Sequence, residues 1–249
     1  MSSEDLKTQL KVRAKLFIKR HLPQLVELQR SIRRALWRRL ASGRPRDEVF
    51  REAFRDGTWG SQESASGRGS ELAQTETLRR ELPALLGQIG AKSILDAACG
   101  DFHWMCQVSL GVDQYVGADI VPELIEANRQ KYAGPGREFR VLDMVTTKPP
   151  RFDVILCRDC LVHLSFADIR AALRNFRDSG SEYLLATTMP NVRKNEDIAS
   201  GDWRGLNLQL APFHFPPPIA LLNEHCTEAD GEWSDKSLGL WRLSAIPSG

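Results

Sequence analysis

Hydrophobic residues change their spacing along this chain, and the order of the patterns predicts how it folds. Over residues 4–22 and again after Pro23, apolar side chains recur three or four positions apart, which predicts two amphipathic helices. From residue 93 onward, short apolar runs alternate with helical segments of about 10–15 residues. That alternation is typical of parallel βαβ units, so we predict an α/β fold with a doubly wound, mostly parallel sheet.

The same spacing places the individual elements. Helices are predicted over residues 71–88, 122–132 and 166–179, the first with Ser70 as its N-cap. Strands are predicted over residues 93–97, 114–119, 138–143, 152–157 and 182–188, and residues 219–225 and 236–245 are predicted to form an antiparallel C-terminal hairpin. Residues 57–70 and 189–218 lack a regular period and are predicted to be loops. A long loop in a compact domain usually has a function.

Composition indicates a globular protein with an uneven charge distribution. Hydrophobic residues make up 42% and charged residues 27% of the 249 positions, which is enough for a full core. We find neither an apolar run of about 18 residues nor a secretory signal, so we expect a cytoplasmic protein with reduced cysteines. Residues 1–46 hold 13 Lys and Arg against 3 Asp and Glu, whereas residues 47–249 hold 21 against 29.

The basic residues 1–46 are predicted to be a helical extension of one enzyme domain over residues 47–249. Three partners are open for this extension: an anionic membrane surface at the inner face of the membrane, a partner subunit, and RNA phosphates. Its second helix carries an apolar stripe formed by Leu25, Leu28, Ile32, Leu36 and Leu40. The stripe favours a membrane or a partner subunit over nucleic acid, and the chain has no RNA-binding motif.

Acidic residues lie at or just beyond the ends of four predicted strands. They are Asp96, Asp119, Asp143 and Asp159. In doubly wound sheets ligands bind at the carboxyl ends of the strands, so these side chains should face a ligand. The chain lacks both the G-x-G-x-x-G pattern and a P-loop, and Asp101 would repel phosphates. An acidic cradle suits a cationic cofactor that carries a ribose.

These motifs resemble those of the class I S-adenosylmethionine (SAM)-dependent methyltransferases. Residues 95–100 (LDAACG) are similar to the family's first motif, and Asp119, residues 142–144 (LDM) and residues 152–157 (FDVILC) are similar to later motifs in the same order. The resemblance implies SAM as cofactor and a Rossmann-like sheet of seven strands that ends in an antiparallel hairpin. Ala98 and Phe102 depart from the pattern, since the family usually has glycine at these two places.

The resemblance also assigns roles to residues. It places the methionine amine at Asp96, the ribose at Asp119 and the adenine amine at Asp143. The cofactor-binding residues that it implies are Asp96, Cys99, Gly100, Asp101, Trp104, Asp119, Ile120, Asp143, Met144 and Arg158. The strings CGDFHWM, CRDCLVHLS and GDWRGLNLQLAPFHFPPP resemble, more narrowly, a group of small bacterial methyltransferases often found beside sugar and polysaccharide genes.

The acceptor is predicted to be a sugar or polysaccharide hydroxyl, which needs a base near its proton. His163 is the first candidate base, with Asp159 as a second base or an acceptor ligand; packing of His163 on the next helix and an ion pair of Asp159 with Arg158 are the alternatives. Residues 189–218 are predicted to be the acceptor lid. Its acceptor-binding residues are predicted to be Asp202, Trp203, Arg204, Asn207 and His214, although its aromatic residues could equally anchor the loop.

Some alternatives remain open at this stage. Trp59 with residues 66–67 is predicted to close the cofactor end, or else to be a plain linker. Cys157 and Cys160 are interpreted as a structural or chance pair, and no metal site is predicted. An RNA methyltransferase that uses the basic extension, and a SAM-binding module without catalysis, are the alternative functions.

Overall fold

A computed structural model of the chain describes residues 23–41, 43–59 and 61–247. The helix predicted over residues 4–22 lies outside the described residues. The chain divides into two compact units, residues 1–43 and residues 44–249. In the first unit the structure contains helix α1, Pro23–Ala41, which confirms the second of the two predicted N-terminal helices.

The second unit contains the helices and strands of the predicted sheet domain. Its helices are α2 (Arg46–Arg55), α3 (Glu76–Gln88), α4 (Pro122–Tyr132) and α5 (Phe166–Asp178). Its strands are β1 (Ser93–Ala97), β2 (Gln114–Asp119), β3 (Arg137–Val141), β4 (Val154–Cys157), β5 (Tyr183–Thr188), β6 (Ala220–Asn223) and β7 (Ser237–Arg242). Residues 189–218 contain no helix or strand, as predicted for the long loop.

The seven strands form one sheet in the order β3-β2-β1-β4-β5-β7-β6. The first five strands are parallel, and β7 pairs antiparallel with both β5 and β6. The predicted Rossmann-like sheet with a C-terminal hairpin is therefore confirmed. Because the order reverses between β1 and β4, the crevice at the carboxyl ends of these strands is where a ligand is expected.

Both faces of the sheet are buried, as the apolar runs of its strands require. Ile94 packs toward one side with α3 and α4, and the next residue, Leu95, packs toward the other side with α5. Phe213 and Phe215 of the long loop are buried in the α5 layer, so these two aromatic side chains do anchor the loop on the core.

Two helices differ from the predictions, and the ends of β3 to β7 differ by up to three residues. Helix α3 begins at Glu76 rather than Glu71, and its N-cap is Thr75 rather than Ser70, because residues 68–70 form a separate turn of 3-10 helix and the Thr75 hydroxyl donates to the Glu71 carbonyl at 3.0 Å. Helix α2 was not predicted at all. Its ten residues include six charged ones, so only Val49 and Ala53 are buried and the apolar period is too short to recognise.

Candidate active site

A cavity of about 440 Å³ opens at the carboxyl ends of the central strands, a volume that suits a small-molecule ligand. Its lining includes all but one of the predicted cofactor-binding residues: Asp96, Cys99, Gly100, Trp104, Asp119, Ile120, Asp143, Met144 and Arg158. The predicted bases His163 and Asp159 also line it, as does Trp203. The sequence motifs therefore converge on one site within the second unit.

The loop after β1 keeps a glycine-like backbone although two of its expected glycines are missing. Ala98 and Phe102 have φ angles of 75° and 58°, in the left-handed region that side chains disfavour, and Gly100 has a φ of 56°. Gly100 has a steric role as well, because a Cβ at this position would lie 2.0 Å from the Ser66 Oγ. The backbone path that the motif implies is thus retained without the full set of glycines.

Asp101, predicted to bind the cofactor, does not line the cavity. Its carboxylate accepts hydrogen bonds from the Ser64 hydroxyl at 2.9 Å, the Ala65 amide at 2.7 Å and the Ser66 hydroxyl at 3.0 Å. Ser66 and Gly67 line the cavity together with Trp59, so this segment is part of the cavity wall. Asp101 therefore supports the cofactor site indirectly, by holding this loop over Gly100.

Asp96 is a buried carboxylate in the cavity wall. The Tyr115 hydroxyl donates to its Oδ2 at 2.6 Å. Burial raises the pKa of Asp96 from its ordinary 3.8 to about 7, although the hydrogen bond from Tyr115 and the charge of Arg158 lower it. A cationic ligand group beside Asp96 would favour the ionised form, so this carboxyl is suited to bind an ammonium.

Asp119 ends β2 and joins two segments of the cavity wall. Its Oδ2 accepts from the Gly100 amide at 3.1 Å and its Oδ1 from the Val121 amide at 3.0 Å. Burial raises the pKa of Asp119, while these backbone hydrogen bonds lower it. Each carboxylate oxygen can accept a second hydrogen bond, so ribose hydroxyls can bind here without displacing the backbone.

Asp143 is held by a residue that the sequence analysis assigned to the basic extension. The Arg46 guanidinium contacts Asp143 Oδ2 at 2.6 Å and Asp168 Oδ1 at 3.0 Å. Arg46 and Phe50 lie one turn apart on α2, and both line the cavity. Arg46 therefore belongs to the enzyme unit, contrary to the predicted boundary after residue 46. The contact of Arg46 with Asp143 could not be predicted because Arg46 lies far from the motifs in sequence.

A buried ion-pair network closes the side of the cavity next to the C-terminal hairpin. Arg158 contacts Glu224 at 2.6 Å, and Lys236 contacts Asp159 at 2.5 Å and Glu224 at 3.4 Å. Burial by itself would raise the pKa of Asp159, but the charges of Lys236 and Arg158 lower it to about 2. Asp159 is therefore a stable carboxylate and a poor base, which corrects the prediction that it could accept the proton.

His163 has the arrangement of a general base. It belongs to the one-turn segment Leu161–His163, and its Nδ1 lies 2.9 Å from the Asp202 carbonyl oxygen. A carbonyl only accepts, so Nδ1 carries the hydrogen and Nε2 keeps its lone pair in the neutral ring. Burial lowers the pKa of His163, which keeps the ring neutral near pH 7, while the Asp202 carbonyl and the Asp159 charge raise it.

Most of the predicted acceptor-binding residues of the long loop have structural roles instead. Arg204 is buried and donates to the carbonyls of Leu161 and Leu164 at 2.9 and 2.8 Å. Asn207 is buried too, and its amide donates to two carbonyls of its own loop at 3.1 and 3.2 Å. Asp202 and His214 do not line the cavity. The loop thus supports the turn that carries His163.

Trp203 is the one predicted acceptor-binding residue of the loop that lines the cavity. Trp233 of the β6–β7 connection meets it with ring centroids 4.8 Å apart, at an interplanar angle of 70°. Trp233 also lines the cavity and was missed by the sequence analysis. Trp233 could have been predicted from the sequence only if the β6–β7 connection had been expected to line the cavity.

The cysteines do not suggest metal chemistry. Cys157 and Cys160 are free thiols, the first buried and the second half-buried. Within residues 23–41, 43–59 and 61–247, no group of three or more His, Cys, Asp or Glu side chains could hold a metal ion.

Several known proteins are similar to parts of this chain. Residues 94–179 match a family described as "Methyltransferase domain". Human N-acetylserotonin methyltransferase, solved in complex with SAM, superposes with a TM-score of 0.54 at 13% identity, covering 80% of this chain and 60% of that one. Magnesium protoporphyrin IX methyltransferase from Synechocystis PCC 6803, solved with bound SAH, gives a TM-score of 0.46 at 16% identity, covering 59% and 73%. No curated protein matches the chain significantly.

The matched region extends from β1 to the end of α5. It contains all four strand-end carboxylates and the loop after β1, and these carboxylates line the cavity. The family match thus covers the central part of the Rossmann-like sheet.

Proposed function

We propose that this chain is a SAM-dependent methyltransferase that methylates a hydroxyl group, with a sugar or polysaccharide as acceptor. One observation carries the proposal: two buried carboxylates, Asp96 and Asp119, line the same cavity as a histidine whose Nε2 is left as an acceptor. The two carboxylates are suited to bind a cationic nucleoside, and the histidine is suited to remove a proton from a hydroxyl.

The residues of the cavity fit the groups of SAM. Asp96 would bind the ammonium of the methionine part, Asp119 the ribose hydroxyls, and Asp143 with Met144 the adenine. Bound SAM would supply a methyl group on a positively charged sulfur, and this sulfur leaves readily as a neutral thioether when its bond to the methyl carbon breaks. The protein therefore has two tasks: to hold cofactor and acceptor in line, and to take up the acceptor proton.

His163 performs the second task in this proposal. Its Nε2 accepts the proton of the acceptor hydroxyl, and the Asp202 carbonyl holds the ring in the required tautomer. The carboxylate of Asp159 favours the imidazolium that results, because its negative charge raises the pKa of His163. General-base catalysis of this kind contributes about 10²–10⁴-fold to a rate.

The sugar acceptor is supported by the aromatic pair and by the narrower sequence resemblance. Trp203 and Trp233 line the cavity from different segments, and aromatic faces pack on the apolar faces of sugar rings. Asp159 lines the same cavity, and a carboxylate can accept a hydrogen bond from a sugar hydroxyl.

Two measurements test the proposal. Calorimetry with SAM should show binding that weakens in Asp119→Asn, a change that keeps the shape of the side chain. Transfer of a radiolabelled methyl group into fractionated polysaccharide, lipid and RNA should label the polysaccharide, and His163→Gln should slow this labelling about 10²–10⁴-fold while SAM still binds. Absence of SAM binding would overturn the whole proposal. Binding without any transfer would indicate a binding module, and label in RNA would replace the acceptor.

A further inference from the structure

We propose that α1 binds the surface of an anionic phospholipid membrane. Ile32, Leu36 and Leu40 are spaced four residues apart, so their side chains follow one side of the helix. They are 52%, 58% and 67% exposed. Among the described side chains, no other helix exposes a large hydrophobic residue, so the stripe is an exposed apolar helix face that suits a binding partner.

The positive charges beside the stripe favour an anionic membrane as its partner. Arg33 and Arg39 are exposed beside it, and Arg34 is half-buried. The sequence of α1 adds Arg30 and Arg38, against one acidic residue, Glu27. A helix with an apolar stripe bordered by arginines is the type that lies in the interface of an anionic bilayer, with the stripe toward the acyl chains and the guanidinium groups among the phosphates.

A second copy of α1 is a less suitable occupant for the same reason. Pairing two such helices along their stripes would bring the arginines of both copies together, and like charges oppose association. Described residues form no helix that could cross a membrane, so the proposed mode is attachment in the interface plane. This proposal does not depend on the proposed activity, because it concerns only the surface of α1.

The proposal predicts that both kinds of side chain contribute to binding. Each arginine near an anionic surface strengthens binding about fivefold, an effect that salt weakens. Removing one buried leucine from an interfacial helix should weaken binding more than tenfold. A purely electrostatic contact would show the first effect without the second.

Flotation of the full-length protein with vesicles tests this. Vesicles of phosphatidylglycerol mixed with phosphatidylcholine should bind it, and vesicles of phosphatidylcholine alone should not. Leu36→Asp is compared with Ser31→Asp, which adds the same charge on another side of the exposed helix. We expect binding to fall more than tenfold in Leu36→Asp and about fivefold or less in Ser31→Asp. Circular dichroism and urea unfolding check that both variants fold.

Several outcomes would overturn the proposal. They are absence of binding to the mixed vesicles, equal loss in the two variants, and equal binding to both kinds of vesicle. A wild-type dimer that Leu36→Asp converts to a monomer would show that the stripe pairs with protein. Salt-dependent binding to RNA without binding to vesicles would show that the arginines serve nucleic acid.

Discussion

Replacing Asp96 with asparagine should weaken SAM binding and at the same time make the ligand-free protein more stable. Asparagine has the same shape, and its oxygen can still accept the hydrogen bond from Tyr115 that now measures 2.6 Å. The substitution therefore removes the charge and little else. A loss of packing would lower both the SAM affinity and the free energy of unfolding. A lower affinity together with a higher free energy of unfolding would therefore show that the charge of Asp96 destabilises the fold and serves ligand binding.

The size of the stability effect follows from the pKa of Asp96. Burial raises this pKa from 3.8 to about 7, which is about 3 units, and one unit corresponds to about 1.4 kcal/mol. A raised carboxyl pKa favours the folded state at low pH, and that contribution is lost as the pH rises from about 4 to about 7. At pH 8 the variant should gain up to about 4 kcal/mol in free energy of unfolding, and at pH 4 almost nothing.

The effect on binding has the opposite sign. The ammonium of SAM needs the ionised carboxyl, so between pH 5.5 and 7 the dissociation constant of the wild type should fall by up to about tenfold per pH unit and then level off. In Asp96→Asn this component of the slope should disappear, and binding at pH 8 should be about tenfold to a hundredfold weaker, the value of a hydrogen bond between charged groups. Asp119 and His163 titrate in both proteins, so the difference between the two profiles isolates Asp96.

Calorimetry and urea unfolding at a series of pH values measure both effects. Methylthioadenosine, which has the nucleoside but no ammonium, is the control ligand, and its affinity should be the same for both proteins. The reasoning is refuted if the variant shows the wild-type pH profile for SAM, or if it gains no stability at pH 8.

Three further predictions concern other residues of the site. His163→Gln should lower kcat about 10²–10⁴-fold and leave the dissociation constant of SAM within about twofold, measured by methyl transfer and calorimetry; a parallel loss of SAM binding would contradict the assignment. Arg46→Ala removes the contact to Asp143 at 2.6 Å and should weaken SAM binding about tenfold, whereas Arg51→Ala on the same helix should change it little. Ala98→Gly relieves a φ of 75° and should leave the urea midpoint unchanged or raise it, whereas a clear decrease would mean that the backbone is not strained there.

The sequence predicted the βαβ units best, because their strands and helices have regular hydrophobic patterns. Strands buried on both faces and joined by helices give continuous apolar runs, and β1, β2 and α4 were predicted to the residue. The carboxylates Asp96 and Asp119 were found for the same reason, since the carboxyl ends of parallel strands all meet at one edge.

Charged partners that reach the site residues through tertiary contacts could not be predicted from the sequence. Arg46 reaches Asp143 from a helix 97 positions earlier in the chain, and Glu224 reaches Arg158 across 66 positions. Neither contact leaves a local sequence pattern, because an ion pair requires two charged groups to be close in space and not in sequence. The low pKa of Asp159 follows from Lys236, another such contact, so its unsuitability as a base could not be recognised from its position after β4.

The long loop shows why polar composition alone indicated the wrong role. A segment of about thirty residues without helix or strand has few partners for its own amides and carbonyls, and such groups must be satisfied where they are buried. The side chains of Asn195, Arg204 and Asn207 donate hydrogen bonds to such buried carbonyls. Arg204 donates to a carbonyl of the turn that carries His163. Polar residues in a buried irregular loop are therefore needed whether or not the loop binds a ligand. The aromatic residue that the core leaves in the cavity wall, Trp203, is the better indicator of an acceptor.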